Sequence, residues 1–195
     1  MLSTTLLPLI SALVGTTLGA PAPSELTNRA TTSEIQPSAL VIHDSHWSGQ
    51  NTCNPGTAQV TRTNTGHDLT TMLTFVYPAA ANGKQCWLDF NLPAGATVSP
   101  TGTAGIAKID VFRQWAPVNT CPSQGNNRDV QLGRLNVPGA GKAAAWGEVY
   151  NGYLTSKAPC PAPGTVVGIE FVGVGDAETV AWQQSAGFGA RILYA

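Results

Sequence analysis

Charged side chains are scarce in this sequence of 195 residues. They make up 11% of the chain, less than half of the roughly 25% that is usual for soluble domains. Lysine and arginine together number 10 and aspartate and glutamate 11, so there is no basic excess to neutralise phosphates, and nucleic-acid binding is disfavoured. Because 43% of the residues are apolar and the net charge is -1, intrinsic disorder is disfavoured as well.

Long apolar runs are also lacking. Residues 6–14 form the longest one near the start of the chain, and it is too short to span roughly 30 Å of hydrocarbon. The small residues Gly19 and Ala20 follow it, which is the layout of a secretory signal peptide. We therefore predict a secreted, extracellular protein whose leader, residues 1–20, is removed near Ala20, with no membrane segment.

The segment after the leader differs in composition from the rest of the chain. Residues 21–37 are rich in proline, serine and threonine and poor in apolar residues, so they are predicted to form a flexible linker. Residues 38–195 then form a single domain, a length that fits one hydrophobic core.

Signatures of catalysis and of metal binding are sparse. There is no Gly-x-Ser-x-Gly nucleophile motif and no Cys-x-x-Cys pair, so neither a serine hydrolase nor a zinc site is indicated. His43, His46 and His67 could bind a metal only from a loop, because strand residues three apart face opposite sides.

A glycosidase would need paired carboxylates. The candidates are Asp89, Asp110, Glu148, Glu170 and Asp176, and their spacing pairs none of them. We predict no metal, no cofactor and no enzymatic activity.

The four cysteines are Cys53, Cys86, Cys121 and Cys160. In an oxidising compartment an even number favours two disulfides. The residues alone leave all three connectivities open.

The pattern of the domain is one of short strands separated by turns. Segment 86–92 alternates cleanly, with Cys86, Leu88, Phe90 and Leu92 on one face. The predicted strands lie at 39–43, 58–62, 68–78, 86–92, 105–115, 130–137, 143–150, 165–175, 179–184 and 190–195. Nine or ten strands with Gly, Pro and Asn turns between them predict an all-β fold, an antiparallel, jelly-roll-like β-sandwich.

Aromatic residues provide the clearest functional pattern. The five tryptophans are many for a chain with so little charge. Trp146, Glu148 and Tyr150 share one phase of a predicted strand, and Tyr153 follows. An exposed aromatic row beside hydrogen-bonding groups can hold a sugar, so these four residues are the predicted ligand site. The alternative is that the tryptophans fill the core. The neighbouring Arg128 and Asp129 are interpreted as a pair that holds a loop.

Several pieces of the C-terminal two-thirds occur together in one known family. They are GKQCWLDFNLP (83–93), KIDVFRQ (108–114), GNNRDVQLGRLNV (125–137), APCPAPGTVVGIEFVGVGD (158–176) and GARILYA (189–195). With these motifs, residues 37–195 resemble the C-terminal domain family named after a ubiquitin-3-binding protein, the "But-two" C-terminal domain, which is common in secreted fungal proteins. The resemblance implies a β-sandwich with a Cys86–Cys160 disulfide, which leaves Cys53–Cys121 as the second.

The name-giving interaction is not carried over, because a ubiquitin-pathway partner lies across a membrane from a secreted chain. No catalytic residues are established for the family, so none are transferred. The predicted function is that of a monomeric, non-enzymatic secreted fungal protein that binds cell-wall polysaccharide. One alternative is a protein-interaction or effector protein recognised by a host, and a less favoured one is a hydrolase.

Overall fold

The computed structural model describes residues 32–46, 49–63, 65–100, 105–118, 121 and 125–195. These residues form 14 strands and one short 3-10 helix, Ala79–Ala81. The strands are β1 (Ser33–Ile35), β2 (Ala39–Asp44), β3 (Gln50–Cys53), β4 (Ala58–Arg62), β5 (Leu69–Val76), β6 (Gln85–Asn91), β7 (Thr97–Ser99), β8 (Ala107–Gln114), β9 (Arg128–Val137), β10 (Ala145–Val149), β11 (Ala158–Pro159), β12 (Val166–Gly173), β13 (Glu178–Trp182) and β14 (Gly189–Tyr194).

The strands build two antiparallel sheets. The smaller sheet has the order β1-β14-β6-β11. The larger follows the order β10-β9-β8-β12-β5-β4-β13-β7, and β2 pairs with β5 and with β3 beside this path. The predicted sandwich class is therefore confirmed. The four strands beyond the predicted ten are β1, β3, β7 and β11, each of two to four residues, which is too short to show a periodicity.

The core lies between the two sheets. The predicted inner face of β6 is confirmed, because Cys86, Leu88 and Phe90 are all buried. The Phe90 ring centroid lies 4.9 Å from that of Trp182 and 5.3 Å from that of Phe171. Since Phe90 belongs to the small sheet and the other two rings to the large one, this aromatic cluster joins the sheets.

Both disulfides have the pairing that the family resemblance implies. Cys86 bonds Cys160 and Cys53 bonds Cys121, with Cα–Cα distances of 5.0 and 5.7 Å. Cys86–Cys160 lies at the β6–β11 end of the small sheet. Cys53 ends β3 of the large sheet. Each disulfide therefore belongs to one sheet, and neither crosses the core.

Residues 115–118, 121 and 125–127, here called the cross-sheet segment, lie against part of the large sheet's outer face. Its Val118 packs with Val41 and Met72 in a small second core. The Thr74 hydroxyl donates a 2.8 Å hydrogen bond to the Val118 carbonyl. Together with the disulfide at Cys121, these contacts explain why residues such as Met72 are buried on a face that points away from the main core.

The packed domain starts before residue 38. Strand β1 lies within the stretch predicted as a linker, and its Ile35 is buried in the main core. The predicted leader, residues 1–20, and residues 21–31 lie outside the described residues. Within the described ranges, no helix has the length and apolar character needed to cross a membrane.

Candidate functional site

The predicted aromatic row on β10 is interrupted by a β-bulge. Trp146 lies opposite Leu135 and Glu148 lies opposite Arg134, with a register shift between them. Because adjacent residues of β9 face opposite sides, Trp146 and Glu148 face opposite sides too. The shared phase predicted for these side chains is therefore wrong. Trp146 packs against the main core, whereas Glu148 is exposed.

Glu148 and Tyr150 belong to a charged network on the outer face. The Tyr150 hydroxyl donates a hydrogen bond to the Glu148 carboxylate. Arg134 binds both carboxylate oxygens of Asp110, at 2.7 and 3.1 Å, and lies 3.6 Å from Glu148. The hydrogen bonds to Asp110 raise the pKa of the Arg134 guanidinium above its ordinary value. The polar groups of this network are directed at one another rather than at an open cleft.

Tyr153, the fourth predicted residue, lies in a different place. It lines a cleft of about 440 Å³ beside Trp115, whose side chain is 70% exposed. We call this the Trp115 cleft. It is lined by Arg113, Gln114, Trp115, Pro117, Asp129, Tyr153, Pro161, Thr165, Val166 and Val167.

Local structure explains the position of Trp115. Strand β8 ends at Gln114, and the Trp115 N–H then bonds the Asn127 carbonyl at 3.1 Å. This bond ties the start of the cross-sheet segment to its end. The indole ring therefore stands at the end of the sheet, where neither a neighbouring strand nor the core covers it.

Polar groups line the Trp115 cleft on the side of β8 and β9. Arg113 Nη2 lies 2.7 Å from the Asp129 carboxylate, and the guanidinium lies 5.9 Å from the Tyr153 ring centroid. Burial raises the pKa of the Tyr153 hydroxyl, so this group stays protonated and can donate a hydrogen bond. The side-chain oxygen Oε1 of Gln114 is buried, and among the described residues it has no hydrogen-bond partner.

Arg128 and Asp129, the pair predicted to hold a loop, each bind a different residue. Asp129 forms an ion pair with Arg113. Arg128 reaches the fully buried Glu170 carboxylate through Nε at 3.2 Å and Nη2 at 2.7 Å. Thr70 and Asn126 donate to the same carboxylate at 2.8 and 3.2 Å. Glu170 therefore holds Asn126, near the end of the cross-sheet segment, against β12, and both of its carboxylate oxygens accept hydrogen bonds.

The other carboxylates and the histidines show no catalytic arrangement. Asp89 lies 2.7 Å from Arg191, and Asp176 is exposed in a turn. His43 is buried and its Nδ1 lies 2.8 Å from the Asn51 side-chain oxygen, while the rings of His46 and His67 stack at 3.4 Å. In the part of the chain that the structure describes, no three His, Cys, Asp or Glu residues form a metal-binding group.

The tryptophans divide between core and surface. Trp182 is buried, Trp87 and Trp146 are half-buried, and Trp115 is exposed. Trp47 lies outside the described residues. From the sequence, Trp115 is one of the tryptophans and lies at the end of the predicted strand 105–115, not in the predicted site. Strand β8 ends at Gln114, and the sequence pattern gives no sign that this ring is exposed.

This combination of features defines a class: a disulfide-bonded antiparallel β-sandwich that carries an open aromatic cleft at one end of its sheets. The chain belongs to the family described as the Ubiquitin 3 binding protein But2 C-terminal domain, whose model matches residues 35–187. The family resemblance predicted from the sequence is thereby confirmed. No curated protein matches the chain significantly.

Proposed function

We propose that this protein is a secreted, non-enzymatic fungal protein that binds cell-wall carbohydrate through the Trp115 cleft. The observation that carries the proposal is the 70% exposure of Trp115 at the mouth of that cleft. A large aromatic surface is normally buried. Its exposure beside paired polar groups is what a binding site for a partly apolar ligand requires.

The chemistry of the cleft fits a neutral sugar. The faces of a pyranose ring carry C–H groups that can lie on an indole, while its edge carries hydroxyls that need hydrogen-bond partners. Arg113 donates, Asp129 accepts, and the protonated Tyr153 hydroxyl can donate as well. Because the Arg113–Asp129 ion pair carries no net charge, it favours an uncharged ligand over an ionic one.

The proposed compartment rests on two features. The first 20 residues have the layout of a signal peptide, and both cysteine pairs form disulfides, which persist in oxidising compartments. Mass spectrometry of the protein from culture medium should show an N-terminus near Pro21. Intact protein retained inside the cells would contradict secretion.

The test of carbohydrate binding is retention on insoluble β-glucan, chitin, mannan and cellulose. We expect at least one of them to retain the wild-type protein and Trp115→Ala to weaken that binding about tenfold or more, as loss of an aromatic anchor does. Tyr150→Ala is the matched control, because this residue is also an exposed aromatic but lies outside the cleft. Absence of retention on all four, or an equal loss in both variants, would refute the proposal.

A protein ligand is the second candidate. The family description refers to a protein that binds ubiquitin 3, and Val76 and Val166, paired across β5 and β12 beside the Trp115 cleft, are 41% and 39% exposed. Aromatic, arginine and apolar side chains together are typical of protein interfaces. Cell-surface binding that survives glycosidase treatment but is lost in Trp115→Ala would favour this candidate over carbohydrate.

A further inference from the structure

The edge of strand β6 that faces away from β14 pairs with β11 only at Gln85 and Cys86, and it has a gap in its hydrogen bonding further along. The Leu88 N–H donates to the Leu154 carbonyl at 2.8 Å, and the Phe90 carbonyl accepts from the Ala144 N–H at 2.8 Å. These bonds show that Leu88 and Phe90 direct their backbone groups away from β14. Between the two bonds, the Leu88 carbonyl and the Phe90 N–H point to the same edge, and within the described residues neither has a hydrogen-bond partner.

A cleft of about 290 Å³ lies beside this stretch of β6, and both Leu88 and Phe90 line it. We call it the edge gap. Its lining residues are Trp87, Leu88, Asp89, Phe90, Leu135, Ala144, Trp146, Thr155, Ser156 and Lys157. The cleft thus combines two half-buried indoles with a free backbone donor, a free backbone acceptor and exposed polar side chains.

The flanking segments limit what can enter. A peptide strand cannot add along this edge, because Ala144 and Leu154 already occupy the neighbouring positions on either side. The space left between them suits a small group that both donates and accepts. Sugar hydroxyls do both, and the apolar faces of the same ring would lie against Trp87 or Trp146.

We propose that the edge gap is a second carbohydrate site, which binds a single terminal sugar residue. One hydroxyl donates to the Leu88 carbonyl, and another accepts from the Phe90 N–H. Lys157, whose Nζ lies 4.6 Å from the Trp87 ring centroid, covers the outer side of that indole. The site goes beyond the proposed function, since it shares no lining residue with the Trp115 cleft.

The test is a titration of the isotope-labelled full domain, followed through its backbone amide resonances. The probes are the methyl glycosides of glucose, mannose, galactose and N-acetylglucosamine. We expect at least one to shift the Phe90 amide resonance saturably. Ser156→Trp, which fills the cleft from an exposed position, should weaken that binding about tenfold or more, and Trp115→Ala should leave it unchanged. If Ser156→Trp does not fold, Trp87→Ala should produce the same loss by removing one flank.

Three results would overturn the proposal. One is a Phe90 resonance that none of the four glycosides moves, and another is a shift that persists in the cleft-filling variant. The third is a shift caused only by a short Thr/Val peptide, which would make the gap a peptide site. Polysaccharide retention that is insensitive to Trp115→Ala refutes the proposed function but leaves the Phe90 titration intact, so the two proposals fail separately.

Discussion

At the scale of single residues, Glu178 shows how burial and hydrogen bonding oppose each other. Its carboxylate accepts hydrogen bonds from the Val174 N–H at 2.7 Å and from the Lys108 N–H at 3.0 Å. These bonds favour the charged form, but burial outweighs them and raises the pKa of the carboxyl above its ordinary 4.5. Glu178 was absent from the predicted candidates, because it follows a Gly-Asp-Ala turn that gives no sign of burial.

The raised pKa of Glu178 predicts a pH dependence of stability. The folded state binds this proton more tightly than the unfolded state, so the stabilisation is complete below the unfolded pKa and is lost as the pH rises through the folded pKa. The unfolding free energy of the wild type, relative to Glu178→Gln, should therefore fall as the pH rises above the ordinary carboxyl pKa of 4.5. Urea unfolding of both proteins across this range measures the difference. A difference that is constant or that grows with pH would contradict the assignment.

At the scale of elements, the cross-sheet segment depends on local anchors. The Cys53–Cys121 bond holds its middle, while hydrogen bonds hold Val118 and Trp115 nearer its start. Removing the disulfide should therefore loosen this segment more than the sheets beneath it.

The corresponding variant is Cys53→Ala/Cys121→Ala. We expect a loss of about 2–4 kcal/mol in unfolding free energy and faster hydrogen exchange at the Trp115 and Val118 amides. The Leu193 amide lies in β14 of the small sheet. Its hydrogen exchange should become faster only by the amount that the loss of global stability explains. An equal loss of protection in all three places would show that the disulfide stabilises the domain only as a whole.

Elements also show where sequence patterns succeed and fail. The alternation in β6 predicted Cys86, Leu88 and Phe90 as core correctly, because this strand has an unbroken pleat. In strand β10 the alternation is broken. The register shift beside Gly147 places Glu148 and Trp146 on opposite faces of the strand. A bulge depends on the pairing partner, and one strand read alone does not contain that information.

Strand β9 is a second example of this limit. Its register against β8 shifts between Val111 and Phe112, which explains why 130–137 has no clear inner face in the sequence. At Gly133 an added Cβ would clash with the Glu148 carbonyl oxygen and lie 3.1 Å from the Trp146 ring. The need for glycine here is set by β10, a different part of the chain, so it could not be predicted from the local pattern. The disulfide pairing was likewise open from spacing alone, and the family resemblance supplied it.

At the scale of the whole molecule, neither disulfide joins the two sheets, and the apolar side chains of the main core pack them together. The centre of that contact is Phe90 against Phe171 and Trp182. Loss of this ring removes apolar contact and leaves a cavity that a close-packed core fills poorly.

Phe90→Ala should therefore lower the unfolding free energy by about 3–5 kcal/mol, at least as much as removing either disulfide. Phe188→Ala is the matched control, because this ring is 40% exposed and its loss should cost about 1 kcal/mol or less. Chemical denaturation of both variants gives the comparison. Similar values for the two would mean that the aromatic cluster contributes little to holding the sheets together.

The pairing of β1 with β14 has a mechanical consequence. Ser33 lies opposite Tyr194 and Ile35 opposite Ile192, so the outer ends of both strands meet at one point of the small sheet. A force that separates these ends loads the backbone pairs one after another, as in unzipping, instead of shearing all of them together. Tension on a tether at residue 33, against a load at residue 195, would therefore peel β1 from the sheet first.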